Sequence, residues 1–377
     1  MHPEFDLDPA VLYLNHAAVA PWPRRAVAAV QQFAAENGRL GSRHYPRWLA
    51  TEERLRERLA RLIGADSPRD IALAKSTSEA LSVIAHGLAW TPGDNVVGIA
   101  QEFPSNRVTW QSLAGHGVRW QALDLAAVTG QDPEDALLAL CDARTRMVAV
   151  SWVQFASGLR LDLARLAAGC QARGILLCVD AIQGLGALPF DLATAPVDFI
   201  VADGHKWLLG PEGLALFWCR PALRERLTLH QFGWHMVADS NDFERPDWTP
   251  AADARRFECG SPNMLGVHAL EASLGLLEET GIAVIAAAIT ERIDHLIALI
   301  DAHGFELLTP RAAERRAGIL TFRVPGVDQA ALHRELMARN LLCASRGGGI
   351  RFSPHFHTDP EQLDQAINLS LDIAARL

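Results

Sequence analysis

Four short segments of this chain carry residue types that could do chemistry together. Asp180 closes the apolar run 175–179, which reads as a buried strand. In open α/β sheets ligands bind beyond the carboxyl ends of the strands, and a carboxylate there can pair with a cationic ring nitrogen. Capping of the next segment is an equally good alternative. Lys206 lies in Asp203-Gly204-His205-Lys206-Trp207, directly after the apolar run 199–202. Partial burial and nearby positive charge free an amine of its proton, which makes it a Schiff-base nucleophile. Taken alone, a solvated loop lysine is the commoner case. Ser76-Thr77-Ser78-Glu79 follows the short run 71–74 and opens a helix. Its S-x-x-E spacing is a capping box, and a helix N-terminus with free N–H groups and hydroxyls binds phosphate. A plain cap is far commoner than a phosphate cup. Phe103, in the segment 101–106 after another strand, could stack on a planar ligand, although a core ring is the default for phenylalanine.

The base composition around these residues is unusual. Lys75 and Lys206 are the only lysines, against thirty-three arginines. Nucleotide bias accounts for the surface, but arginine cannot be deprotonated in a protein and cannot replace an amine nucleophile. Each remaining lysine therefore invites a chemical reading, and either could be accidental. Individually the four segments are weak signals. Together they fit pyridoxal 5′-phosphate, which needs a lysine Schiff base, a carboxylate for its ring nitrogen, a stacking ring and a phosphate cup.

These residues must be positioned by a sheet. Strand-like runs at 95–100, 118–123, 147–152, 175–179, 199–202 and 214–218 alternate with helical patterns at 77–89, 133–141 and 161–173. Such alternation predicts a largely parallel sheet covered by helices. Two helices, 23–37 and 48–63, precede it. After it come helices at 265–279 and 282–303, strands near 319–323, 341–344 and 350–353, and a last helix from Pro360. The expected division is an N-terminal arm (1–20), a large α/β domain (21–262) and a smaller α+β domain (263–377). The stretch 230–257, rich in Trp, Asp and Pro, reads as a long loop.

With 377 residues the chain suits one large or two unequal domains. A formal charge of −9 argues against nucleic acid as a partner. No stretch is long and apolar enough to span a bilayer, and the start does not read as a secretory signal. The six cysteines are scattered without metal spacing and read as reduced thiols, so the cytoplasm is expected.

The pairing of Val179-Asp180-Ala181-Ile182-Gln183 with Gly204-His205-Lys206-Trp207 resembles the class V aminotransferases, pyridoxal-phosphate enzymes of fold type I. The likeness runs from Tyr13-Leu14-Asn15-His16-Ala17-Ala18 to Arg351-Phe352-Ser353-Pro354-His355-Phe356. That family includes cysteine desulfurases, selenocysteine lyases, kynureninase and isopenicillin N epimerase-like proteins. The resemblance implies that Lys206 forms the Schiff base and moves the α-proton, and that Asp180 keeps the ring nitrogen protonated. It implies that Gln183 bonds the ring hydroxyl and that Phe103 stacks on the ring. Ser76, Thr77, Ser78 and His205 would lie about the phosphate, with Asp203 turned away from it, toward His205. Arg351 would clamp the substrate carboxylate, with Asn15 and His16 nearby. Gly260 and Ser261 match the stretch that reaches the neighbouring subunit's phosphate, so a homodimer with shared active sites is expected.

Some features depart from the desulfurase pattern. Desulfurases carry a catalytic cysteine on a loop before the carboxylate-binding arginine. Here Cys343 falls in an apparent strand and reads as packing. His355 and His357 could face one side of a strand, but no third metal ligand is evident, and no metal is expected. His230 and His235 could serve substrate binding. Three functions remain open: a C–S or related β-lyase acting on a cysteine-like amino acid, which is favoured; an aminotransferase or epimerase; and, least favoured, a cofactor-binding protein without catalysis.

Overall fold

The computed structural model describes residues 2–377. Its centre is a seven-stranded sheet made from β2 (Ile71–Ala74), β3 (Asn95–Ile99), β4 (Arg119–Leu123), β5 (Thr145–Ser151), β6 (Leu176–Asp180), β7 (Phe199–Asp203) and β8 (Ala215–Cys219). A further short strand, β1 (Leu12–Tyr13), precedes them. The spatial order is β2-β8-β7-β6-β5-β3-β4. All pairings are parallel except those of β8, which runs antiparallel to both β7 and β2. Strands β3, β6, β7 and β8 are buried nearly throughout, as expected of a sheet covered on both faces.

Two helices, Thr77–Gly87 and Ser105–Gln111, bear on the site. In α3 (Thr77–Gly87) the Ser76 hydroxyl accepts from Glu79 N at 3.2 Å. The return bond of the expected capping box goes one residue further back, from Lys75 N to Glu79 Oε2 at 2.6 Å. Glycine or apolar packing ends α1 (Arg24–Leu40) and α2 (Tyr45–Ile63), and both lie against α7 (Met264–Thr280). A short helix, α4 (Ser105–Gln111), follows Phe103 and was not expected from the sequence. On the far side of the sheet lie α5 (Pro133–Leu140) and α6 (Leu163–Gln171).

Beyond α8 (Ile282–Ala302) the chain forms a second sheet of β9 (Glu306–Leu307), β10 (Leu320–Arg323), β12 (Ala344–Arg346) and β13 (Gly349–Phe352), all antiparallel. Helices α9 (Gln329–Ala338) and α10 (Pro360–Ala374) accompany it. Strand β11 (Leu341–Leu342) leaves this sheet to pair in parallel with β1, and Asn15 bridges to Ser353. The N-terminal arm is thus laced onto the C-terminal part. One apolar core runs through both parts, with Trp207, Leu270, Ile289 and Ile319 in the same cluster.

The segment 230–257 holds only short 3-10 turns and a single bridge, Val237 to Pro250, so its reading as a long loop stands. No single helix among the described residues is long and apolar enough to cross a membrane, and helices α7 and α8, bent 82° apart, are core helices.

Candidate active site

Strand ends of the large sheet open into a cavity of about 360 Å³. Asp180 reaches it from the end of β6, and Asp203, His205 and Lys206 from the end of β7. Ser76, Thr77 and Ser78 enter from the start of α3, Phe103 from the turn after β3, and Gln183 from the turn after β6. Arg351 enters from β13, across the junction with the second sheet. The four sequence segments therefore meet at one place.

Lys206 is buried, and its amine makes no hydrogen bond among the described residues. It lies 5.5 Å from the centroid of the Phe103 ring. Burial pulls the ammonium down to about 8; Arg351 and Arg346 add to the effect, while Asp180 and Asp203 oppose it. Asp180 is likewise pushed up to about 6 by burial, against the Ile182 N–H that it accepts at 3.1 Å and the Lys206 charge. Phe103 is not a core ring: 42% of it is exposed, and it meets Phe155 edge-on at 5.3 Å.

At the α3 end the Ser76 hydroxyl is spent on its own helix. Thr77 Oγ1 accepts from Asp203 N at 3.1 Å, which ties the helix start to β7. Ser78 Oγ donates to Ser105 Oγ at 2.8 Å. The first-turn N–H groups of Thr77 and Ser78 have no intrahelical partner, which makes this end receptive to an anion. His205 Nδ1 lies 2.8 Å from Asp203 Oδ1, a close contact whose angle is not that of a hydrogen bond. This places Asp203 beside His205, the partner expected for it.

Gln183 has its amide fixed from both sides. Its Oε1 accepts from Trp207 Nε1 at 2.8 Å, and its Nε2 donates to Ala17 O at 3.0 Å. Arg351 is 2% exposed; it donates to Phe155 O at 2.7 Å and, more weakly, to Asn15 Oδ1 at 3.5 Å, and its Nε has no partner. It has no carboxylate partner among the described residues. An unpaired buried guanidinium with a free edge suits a carboxylate ligand.

The residues present fit pyridoxal 5′-phosphate. A buried amine without a hydrogen-bond partner, a carboxyl raised by burial, and an anion-receptive helix start line one cavity. Each would gain from that group what the protein alone leaves unsatisfied.

Several expected residues fall elsewhere. His16 is fully buried and does not line the cavity: Nδ1 bonds Ser353 O at 2.9 Å and Nε2 meets His357 Nε2 at 3.1 Å. Burial pulls it down to about 4, so it is neutral packing behind the site. Asn15 touches the site only through Arg351. His355 and His357 belong to this same neutral cluster, outside any strand, and His355 bonds Trp207 O at 3.2 Å. Gly260 and Ser261 lie outside the cavity of their own chain. His230 lines a neighbouring groove with Lys75, and His235 lies beside Glu52 and Glu258. Those two carboxylates are already paired with Arg56. Cys343 is buried, burial pushes its thiol up to about 12, and it does not line the cavity.

The sequence reading missed Glu102, Ser105, Ser151, Phe155 and Arg346. Glu102 is fully buried behind the cavity and accepts from Ser151 N at 2.7 Å, Ser151 Oγ at 2.5 Å and Gln154 Nε2 at 3.0 Å. Burial pushes it up to about 7, opposed by the Ser151 bonds and reinforced by Asp180. Glu102 and Ser105 flank Phe103 in sequence, and that adjacency was the available signal. Arg346 carried none beyond its closeness to Arg351.

A family model described as aminotransferase class-V matches residues 12–373. The chain is 33% identical to isopenicillin N epimerase of Streptomyces clavuligerus over 95% of its own length and 94% of that protein's. It is 29% identical to a probable cysteine desulfurase of Methanothermobacter thermautotrophicus, over 93% of this chain and 92% of that one. Among solved structures, the apo cysteine desulfurase of Thermococcus onnurineus superposes with a TM-score of 0.87 at 22% identity, covering 97% of this chain and 95% of that one, a likeness of fold.

Proposed function

The chain belongs to the class-V aminotransferase family, and from that premise we propose that it is a β-lyase. It breaks a carbon–sulfur or related bond at the β-carbon of a cysteine-like amino acid. The enzyme is pyridoxal-phosphate dependent, and the cofactor, when bound, draws electrons from the substrate's α-carbon. Thr77, Ser78 and His205 would hold its phosphate, Asp180 its ring nitrogen and Phe103 its ring face. Gln183 keeps one amide hydrogen for the ring hydroxyl. Arg351 binds the α-carboxylate and so sets which bond of the α-carbon faces Lys206.

The observation that carries this reading is the Lys206 amine, unpartnered in the cavity and drawn down to about 8. It takes the α-proton at Nζ as general base. The β-substituent then leaves with the electron pair of its bond to carbon. No cysteine lines the cavity among the described residues, so released sulfur leaves with the product and is not captured on the protein. A homodimer is part of the same proposal: Gly260 and Ser261 would then reach the neighbouring subunit's phosphate cup.

A second reading, epimerisation at the α-carbon, draws on the 33% identity to isopenicillin N epimerase. A two-base epimerisation needs a second proton donor. Among the described residues lining the cavity, the titratable groups other than Lys206, Asp180 and the arginines are His205 and Asp203, which are in contact with each other. One experiment separates the readings. Holoenzyme is incubated with single amino acids in D₂O, and keto acid, sulfide and D-isomer are measured together. Continuing release of keto acid with the β-substituent is expected. One equivalent of keto acid would make the enzyme an aminotransferase, and deuterated D-isomer without keto acid would make it an epimerase.

A further inference from the structure

The cavity holds a second unpaired guanidinium. Arg346 lines it together with Arg351. Among the described residues Arg346 has no carboxylate partner; its one side-chain bond is to Ser345 O at 2.8 Å. The two arginines belong to one hairpin, with Arg346 opposite Gly349 and Arg351 opposite Ala344. Alternation along the strands therefore puts both side chains on the same face. As diagonal neighbours they start about 7–8 Å apart. Gly349, opposite Arg346, has no side chain to cover it. The turn between them, Gly347 and Gly348, has φ of +57° and +77° and leans toward Ala156.

Depth separates the two. Arg351 is buried at the floor, while Arg346 is exposed at the rim. Neither guanidinium meets a carboxylate among the described residues. Asp203 is in contact with His205, and Asp180 lies near Lys206 and would pair with the cofactor's ring nitrogen. Glu102, the remaining carboxyl close by, is fully buried and bonded to Ser151 and Gln154. A cofactor phosphate would be met by Thr77, Ser78 and His205 at the α3 end. An amino acid with an uncharged side chain supplies one carboxylate, for Arg351 alone.

Resting on the reading of this cavity as an amino-acid site, we propose that Arg346 is a second anion anchor. The substrate is then an amino acid whose side chain carries an acid group beyond the bond that breaks. The α-carboxylate goes to Arg351 and the distal acid to Arg346.

The test is calorimetric binding to holoenzyme of the straight-chain diacids succinate, glutarate and adipate, each against the monocarboxylate of equal carbon number. At one chain length the diacid is expected to bind about tenfold tighter, as a second charge-assisted bidentate pair requires. In Arg346→Gln that ratio falls toward one, and Arg346→Lys retains part of it. No preference for any diacid in the native protein, or a preference that survives Arg346→Gln, overturns the proposal. The same samples are reduced with borohydride and digested. Cofactor fixed on the Lys206 peptide shows that the amino-acid site itself is intact, so a failure there is distinguished from a failure at Arg346.

Discussion

The indole Nε1 of Trp207 donates to Gln183 Oε1 across 2.8 Å, so the residue after Lys206 fixes an amide that lines the cavity. The bond also decides which end of the amide is oxygen. With Nε2 held by Ala17 O, the amide cannot turn over. Trp207→Phe removes the donor and leaves a gap in a fully buried place. Cofactor affinity should fall about tenfold, and stability by roughly 1–3 kcal/mol. Absorbance titration with cofactor and urea unfolding check the two effects.

The same indole is held from behind. A methyl group at Gly318 would come within 2.3 Å of Trp207 Cη2 and 3.0 Å of Ile289 Cγ2. Neither neighbour has room to retreat in the core, so Gly318→Ala should cost about 1–3 kcal/mol. An unchanged unfolding midpoint would show that the indole is free to move.

Two lysines make amine reactivity easy to assign. In cofactor-free protein, acetylation of Lys206 by a small anhydride should rise with pH and level off above about 8, where the buried amine has lost its proton. Peptide mass spectrometry reads it, with the exposed Lys75 in the same digest as an internal comparison.

Arg351→Ala should weaken binding of amino-acid substrates by about thirtyfold or more while changing cofactor affinity little, since breaking a buried guanidinium–carboxylate pair costs about 2–5 kcal/mol. Separate titrations with cofactor and with substrate measure the two. Equal losses in both would remove its role as the carboxylate clamp.

Glu102 makes stability pH-dependent in a fixed direction. Its carboxyl titrates near 4.5 in an unfolded chain and about 7 in the fold, so the folded state holds the extra proton. Its contribution is full below about 4.5 and is lost as pH rises through about 7, by on the order of 3 kcal/mol at most. Glu102→Gln keeps an amide in place of the protonated carboxyl. The difference between native and Glu102→Gln unfolding free energies should therefore change across that window and flatten outside it.

Cys343→Ala should leave turnover within about twofold and cost roughly 1 kcal/mol of stability, since the thiol acts as a small buried apolar group. Loss of sulfide release with the fold intact would return this cysteine to the chemistry.

The strand-end residues were legible because local sequence fixes them. Asp180 and Lys206 each follow an unbroken apolar strand, and the end of such a strand is where a parallel sheet presents ligand groups. His16 misled because its neighbour Asn15 does reach Arg351; its own burial is decided by Ser353 and His357, more than three hundred residues away. Helix α9 escaped notice because only Leu332 and Leu336 are buried in it, too thin a stripe to show a period. The reversal of β8 depends on which strand it neighbours, and short turns around it are compatible with either direction. Arg346 is one arginine among thirty-three, and only the register of its hairpin sets it beside Arg351.

The pairing of β1 with β11 has a consequence for the order in which the protein is made. Leu12 leaves the ribosome early, while its partner Leu341 follows more than three hundred residues later. At about 5–20 residues per second the arm waits roughly half a minute without its ladder. Ala20, which donates to His205 O at 2.8 Å, belongs to the stretch that waits. Ala17, which lines the cavity, is held by Gln183 from the large part and by the Ser353 hydroxyl from the second, so its full set of bonds forms only when residue 353 has been made.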